Sequence, residues 1–495
     1  VEVRRAQLVA GLAAATAAVG AWAVARARAR RSAPAAAPGL PVDRARRTAE
    51  LARIGARAGG DYVSMRARGL LADDARREQL EAEYQLRTAE QVAALLGGMK
   101  GALMKLGQMA SYLDQGLPEP VREALSQLQS DAPPMAPELV EEVVAAELGA
   151  PPVELFAEWD DRPLASASIG QVHRAVTTDG RQVAVKVQYP GVDRAVAADL
   201  ENTDLLFNIM SMLFPGMDPK PIVAELRERL VEELDYRIEA DHQRLFAAHY
   251  RGHPFIHVPE VVDELSGARV LTTELAEGAR FAEVVEWPDA ERQLAAETLY
   301  RFAFGSIYGL RAFNGDPHPG NYLFRPGGRV TFLDFGLCKR FTDEEVKDFE
   351  EMIRAMVLDR DPRAYQRVLE RIGILPPGFQ VSEEDLVAYF GHFYEFVMED
   401  REMEITPEWS SQSLRQFFDL SGPHAEIMKA ANLPASMVII QRINLGLFAL
   451  FGDLRARNNW RRIAEEIWPF VAAPPSTPMG ERIAEWAAAR RVTPA

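Results

Sequence analysis

Asn314-Gly315-Asp316-Pro317-His318-Pro319-Gly320-Asn321, followed a short way on by Asp334-Phe335-Gly336, is the stretch on which the reading of this chain turns. Between the two segments lie the apolar residues 322–324, a Pro326-Gly327-Gly328 turn and the apolar residues 330–333. Turn chemistry flanked by short apolar runs predicts a β-hairpin. A hairpin returns the chain to its starting point, so Asn321 and Asp334 are expected side by side at its open end. Phosphoryl transfer needs a carboxylate near the attacking hydroxyl and oxygen ligands that hold magnesium against the phosphates. Asp316 supplies the first, and Asn321 and Asp334 the second. An Asp-Phe-Gly alone is common by chance, whereas an Asp, an Asn and an Asp-Phe-Gly bracketing a hairpin are not.

The matching signal lies upstream. Val183-Ala184-Val185-Lys186 reads as a strand ending in a lysine able to reach the α- and β-phosphates of ATP. Before it, the run Leu164-Ala165-Ser166-Ala167-Ser168-Ile169-Gly170-Gln171-Val172 stands where a glycine-rich phosphate loop would. Its small residues are mostly Ala and Ser, which do not adopt positive φ as cheaply as Gly, so a stiffer loop is expected. A lysine of this kind is oriented by a glutamate from the helix behind it. The helical run 222–250 offers Glu232, Glu233 and Glu239, with Asp235 and Asp241, and spacing does not choose among them. Thr273 and Glu274, at the end of a second strand near 269–274, fall by chain order where the two lobes meet and adenine is received.

The rest of the chain is consistent with a soluble globular body of several units. It has 495 residues, 48% hydrophobic and 26% charged, with a net charge of -16. That acidity argues against a general affinity for nucleic acid, which needs basic surface to release counterions. The single cysteine, Cys338, excludes an internal disulfide and reads as a small buried hydrophobe. Residues 8–25 form an apolar run flanked by arginines; as a helix it would be roughly 27 Å long, close to a bilayer core. It reads as a membrane anchor, with a cleaved targeting segment or a plain surface helix as alternatives. The heavier arginine load after it would hold the body on the cytoplasmic face.

The expected organisation is a hydrophobic segment and Pro/Ala linker (1–41), a helical extension (42–150), a β-containing lobe (151–280), a mostly helical lobe (281–470) and a short tail (471–495). The fold class is α+β, two-lobed and protein-kinase-like. Thr342-Asp343-Glu344-Glu345 predicts a capping box opening a helix. Within the extension, the helix predicted over 91–112 carries Leu96, Met99, Leu103 and Leu106 on one stripe. Gly97, Gly98, Gly101, Lys105 and Gln108 gather on another face. Each helical Gly costs about 1 kcal/mol relative to Ala, so a close backbone approach is expected there, with Lys105 and Gln108 pointing into it.

Taken together these residues resemble the UbiB/AarF family of atypical protein-kinase-like proteins. Lys105-Leu106-Gly107-Gln108 is similar to its Lys-x-Gly-Gln motif, 165–172 to its alanine-rich loop, and Glu233-Leu234-Asp235 to its Glu-x-Asp motif. Asp316, Asn321 and Asp334 fall on its catalytic-loop Asp, metal-binding Asn and Asp-Phe-Gly Asp. The resemblance implies that Glu239 is the glutamate paired with Lys186. It also implies that the Lys105 helix folds over the active site, with Lys105 paired to the acidic motif at Glu233. It further implies an ATP- and Mg2+-using kinase or ATPase acting on small molecules or lipids, in or near isoprenoid-quinone metabolism and a membrane surface. A non-catalytic ATP-sensing scaffold and a conventional protein kinase are the alternatives.

Overall fold

Val183, Val185 and Val187 are fully buried while Ala184 and Lys186 between them are half-buried. This period of two is the signature of a strand with one face on a core. In the computed structural model, which describes residues 135–167, 169–193, 231–315, 317–418, 424–431 and 435–492, they form β3 (Gln182–Gln188). It is the third strand of an antiparallel sheet with β1 (Phe156–Ser166), β2 (Gly170–Thr177) and, further along the chain, β5 (Val270–Glu274), in the order β1-β2-β3-β5. All the described residues belong to one structural unit. The 8–25 run, Lys105, Gln108, Ser168 and Asp316 lie outside the described residues.

The valine face of the sheet is covered by α1 (Pro137–Leu148). Proline in its first turn leaves no helical hydrogen bond unmade. Gly149, at φ +86°, ends the helix in a left-handed turn by returning its N–H to the carbonyl of Ala145. Val140, Val143 and Val144, three and four residues apart, meet Val183, Val185, Val187 and Val270. Each such buried valine is worth about 1.5–3 kcal/mol. Thus α1, which falls inside the stretch 42–150, packs as part of the sheet layer.

The other layer is helical. α2 (Tyr236–Tyr250) begins at Asp235, whose side chain accepts from the Arg237 N–H. β4 (Ile256–His257) follows α2 before the chain returns to β5. α3 (Asp289–Leu310) is buried around most of its circumference from Ala295 to Ala303, as a helix running through the centre of a core must be. Around it lie β6 (Ala312–Asn314), β7 (Tyr322–Arg325), β8 (Arg329–Phe332) and β9 (Cys338–Arg340). β7 and β8 form the expected hairpin, with Tyr322 opposite Phe332, and β4 joins β8 in parallel. Gly327 and Gly328 take φ of +79° and +74° in the turn, which explains the Gly-Gly pair. α4 (Asp343–Ile353) opens with the capping box between Thr342 and Glu345. Cys338 is buried. α5 (Ala435–Leu454) passes the loop before the hairpin so closely that any Cβ on Gly446 would collide with the ring of Pro317. α6 (Pro478–Val492) docks back onto the body. Among the described residues no helix is long and apolar enough to cross a membrane.

Candidate active site

Strand pairing decides what shares a face with Lys186. Val172 lies opposite Lys186, and Thr273 opposite Ala184, and directly paired residues point to the same side of a sheet. Val172, Ala184, Lys186 and Thr273 therefore line the face away from α1. The sequence pointed to Lys186 and Thr273 but missed Val172 and Ala184. Alternation from Lys186 could have found Ala184; Val172 needed the register.

Gln171 and Glu274 belong to the opposite face, which corrects their expected place beside the nucleotide. Gln171 is fully buried, accepts from the Met135 N–H at 2.8 Å and bonds His173 Nε2 at 2.8 Å. His173 Nδ1 is 2.8 Å from the Asp160 carbonyl, and burial pulls its pKa down. With that nitrogen carrying the proton, Nε2 accepts from the Gln171 amide. Glu274 turns to His257 at 3.2 Å, and that hydrogen bond holds its carboxyl below the usual range.

The turn between β1 and β2 is closed by the Ala167 N–H to the Gly170 carbonyl at 2.8 Å. Ala165, Ser166 and Ala167 all avoid positive φ, so these three positions do without glycine's extra conformations. Gly170 is needed for a different reason: a Cβ there would run into the Val187 carbonyl and stand 2.8 Å from the Tyr236 hydroxyl.

The Lys186 ammonium donates to both Glu239 oxygens at 2.8 Å and lies 3.7 Å from Asp334 Oδ2. The ring of Tyr236 is 5.0 Å away. Of the five acids that the sequence left open, Glu239 is the one on Lys186. It sits one turn inside α2, four residues after the capping Asp235. Burial disfavours the Lys186 charge, but the Glu239 and Asp334 carboxylates outweigh it and hold the lysine pKa well above its usual value. For Glu239, burial outweighs the attraction of Lys186 and, with Asp334 adding repulsion, pushes the carboxyl up. Two carboxylates thus face one ammonium. Tyr236 is buried, and burial pushes its phenol up. Glu233 is also buried. Asp235 pairs with Arg237 at 2.7 Å, whose hydrogen bond lowers its pKa.

Asp334 is fixed from several sides. Its Oδ1 accepts from the Gly336 N–H at 2.9 Å, and its carbonyl accepts from Asn314 Nδ2 at 2.7 Å. Phe335 is fully buried against Phe246 of α2, their centroids 5.0 Å apart, while His242 Nδ1 reaches the Phe335 carbonyl at 3.2 Å. The helix carrying Glu239 and the segment carrying Asp334 are therefore packed and hydrogen-bonded to each other. The Leu333 N–H bonds the Asn321 carbonyl at 3.0 Å, so the hairpin holds Asn321 next to Asp334. Position 316 lies outside the described residues; of its neighbours in sequence, the Gly315 N–H bonds the Leu337 carbonyl at 2.6 Å and Pro317 lies against α5. Among the described residues no three His, Cys, Asp or Glu side chains cluster as metal ligands. The amide and carboxylate oxygens at the hairpin end, beside an excess of negative charge, suit magnesium, which binds few protein oxygens and completes its shell with phosphate and water.

Comparison with known proteins agrees with this geometry. The ABC1 atypical kinase-like domain matches residues 127–369. The mitochondrial atypical kinase coq-8 of Caenorhabditis elegans is 33% identical over 300 residues, 59% of this chain and 40% of that protein. The mitochondrial atypical kinase COQ8 of Saccharomyces cerevisiae is 30% identical over 279 residues, 56% of each chain. The chain spans about half the length of the curated relatives it matches. A Mycobacterium tuberculosis protein solved as the Rv3197–erythromycin complex superimposes with a TM-score of 0.59 at 33% identity, covering 80% of this chain and 100% of its own. Its paired lysine and glutamate, its hairpin-held asparagine and aspartate and these matches together establish that the chain belongs to the ABC1, or UbiB/AarF, family of atypical kinase-like proteins.

Proposed function

We propose that the chain binds magnesium-chelated ATP between its sheet and its helical layer, and uses it as a phosphotransferase or ATPase. The observation that carries this reading is the Lys186 ammonium held by both Glu239 oxygens within 3.7 Å of Asp334. Lys186 holds the α- and β-phosphates, and Glu239 fixes its direction. Ala184, Val172 and Thr273 line the adenine side, and the Ala165–Gly170 turn, with Ser166, Ala167 and Ser168, covers the phosphates. Asn321 and Asp334 hold the magnesium ion, whose chemistry is to neutralise charge on the phosphate oxygens. Asp316 orients an acceptor hydroxyl or water and takes its proton. The acceptor oxygen then bonds to the γ-phosphorus as the bond to the bridging oxygen breaks, releasing ADP.

The acceptor we propose is a small molecule or lipid. Two things support this over a polypeptide: the family and the small-molecule ligand named for the M. tuberculosis relative; we propose in addition that Lys105 and Gln108 lie over the site against Glu233. Service to isoprenoid-quinone or lipid metabolism, at the cytoplasmic face of a membrane anchored through residues 8–25, belongs to the same proposal. The test is calorimetric titration of ATP with and without magnesium, on the wild type and on Asp334→Asn. Magnesium-dependent affinity should fall about 10-fold or more with the loss of a charged ligand. Equal affinities in the two proteins overturn the reading.

A further inference from the structure

α6 touches two of the elements that deliver site residues. At its start, Met479 is buried against the turn of the β7–β8 hairpin, where a Cβ on Gly328 would come within 2.9 Å of the Met479 methyl. Thr298 of α3 donates to the Gly328 carbonyl at 2.6 Å and lies 3.4 Å from Met479 Sδ. The opposite end of that hairpin carries Asn321 and Asp334. Further along α6, the Trp486 ring stands edge-on to His253 at 4.6 Å, and its Nε1 donates to the Arg251 carbonyl at 3.4 Å. Arg490 donates to the carbonyls of His249 and, at 3.3 Å, Ala248. These carbonyls lie at the C-terminal end of α2, where a helix has acceptors without internal partners and a partial negative charge. α6 is otherwise largely exposed between these contacts.

A helix transmits a tilt along its length because its backbone ladder is stiff. Fixing the last turn of α2 therefore constrains where its first turn presents Glu239. We infer that α6 is a clasp on α2, with Trp486 and Arg490 as positioning residues that hold Glu239 on Lys186. Neither residue meets the nucleotide. The clasp acts through the pair already described, and its functional arm rests on the nucleotide-binding reading above.

The experiment uses the full chain carrying Trp486→Ala with Arg490→Ala, and the conservative singles Trp486→Phe and Arg490→Lys. Glu485→Ala, on the exposed side of α6, is the control. Hydrogen–deuterium exchange over Tyr236–Tyr250 is read without nucleotide, and Mg-ATP affinity is read separately. The double variant should speed exchange through the first turn of α2 and weaken affinity by roughly 2- to 30-fold, the span of measured couplings between remote positions. The conservative singles should recover most of both, and the control should change neither. Unchanged exchange in the first turn of α2 overturns the clasp, as does faster exchange confined to its last turn with affinity intact. If the double variant does not fold, Arg490→Gln decides, because Arg490 is exposed: exchange at wild-type rates in the first turn overturns the inference. A wild type that binds no nucleotide would refute the functional reading, while the exchange arm would still judge the clasp.

Discussion

Two buried clusters in this molecule have the same charge count and opposite characters. In each, one cation faces two carboxylates: Lys186 with Glu239 and Asp334, and Arg301 with Glu297 and Glu466. The arginine cluster is closed. Its side chains are 6%, 5% and 8% exposed, and the fork of Arg301 reaches Glu297 at 2.9 Å and Glu466 at 2.8 Å. Thr477 completes it, donating to Glu297 at 2.5 Å and accepting from Arg301 at 3.1 Å. The lysine cluster is left open. Its members are 16%, 7% and 30% exposed, and Asp334 stands 3.7 Å from the ammonium. A guanidinium suits a fixed, fully bonded ion network, whereas an ammonium is a movable point charge. The first cluster ties α3 to Glu466, on the helix Trp460–Ile467, and to Thr477 in the segment leading into α6. The second leaves the Asp334 side chain 30% exposed, where a bound cation would meet it.

If this contrast is right, breaking the closed cluster has the larger effect on folding. Arg301→Met leaves Glu297 and Glu466 buried without their cation and should cost about 3–5 kcal/mol, read by urea or thermal unfolding. Lys186→Met should cost less, about 1–3 kcal/mol, because burial already raises the Glu239 pKa, easing its neutralisation once the cation is gone, and Asp334 reaches water. Its pH dependence has a definite sign. The folded-state pKa of Glu239 is raised above its ordinary 4.5, so its contribution to stability is present below that value and lost as pH rises through the folded pKa. Removing Lys186 raises the folded pKa further. The destabilisation by Lys186→Met should therefore be small in acid and grow towards neutral pH. An equal loss for the two variants, or a loss for Lys186→Met that shrinks as pH rises, removes the distinction between the clusters.

The two clusters also differ in how far the sequence reveals them. The open one is legible because its parts lie on local signals. Asn321 and Asp334 flank a hairpin written in Pro326-Gly327-Gly328, and Lys186 sits on a strand whose valines alternate. What spacing could not give was facing: Glu239 among five acids, or the placement of Gln171 and Glu274 on the face opposite Lys186, depends on helix phase and strand register. The closed cluster draws Arg301, Glu466 and Thr477 from distant parts of the chain. Nothing local announces it, and residues 471–495, read as a tail, carry its hydroxyl and the docked α6.

The hydroxyls give the finest test of the contrast. Thr477 Oγ1 also accepts the Gly480 N–H at 3.0 Å, so Thr477→Val removes a fully used group and should cost about 1–3 kcal/mol. The Tyr236 hydroxyl beside Lys186 is buried with no hydrogen-bond partner among the described residues. Burying such a group without a partner is itself unfavourable, and Tyr236→Phe keeps the ring over Lys186 while removing the cost. That variant should unfold at the same denaturant concentration as the wild type or a slightly higher one, a gain of at most about 1 kcal/mol. A loss as large as that of Thr477→Val would mean that the phenol is bonded in the free protein. The lysine cluster would then be as complete as the arginine one, and its incompleteness could no longer be read as readiness for a ligand.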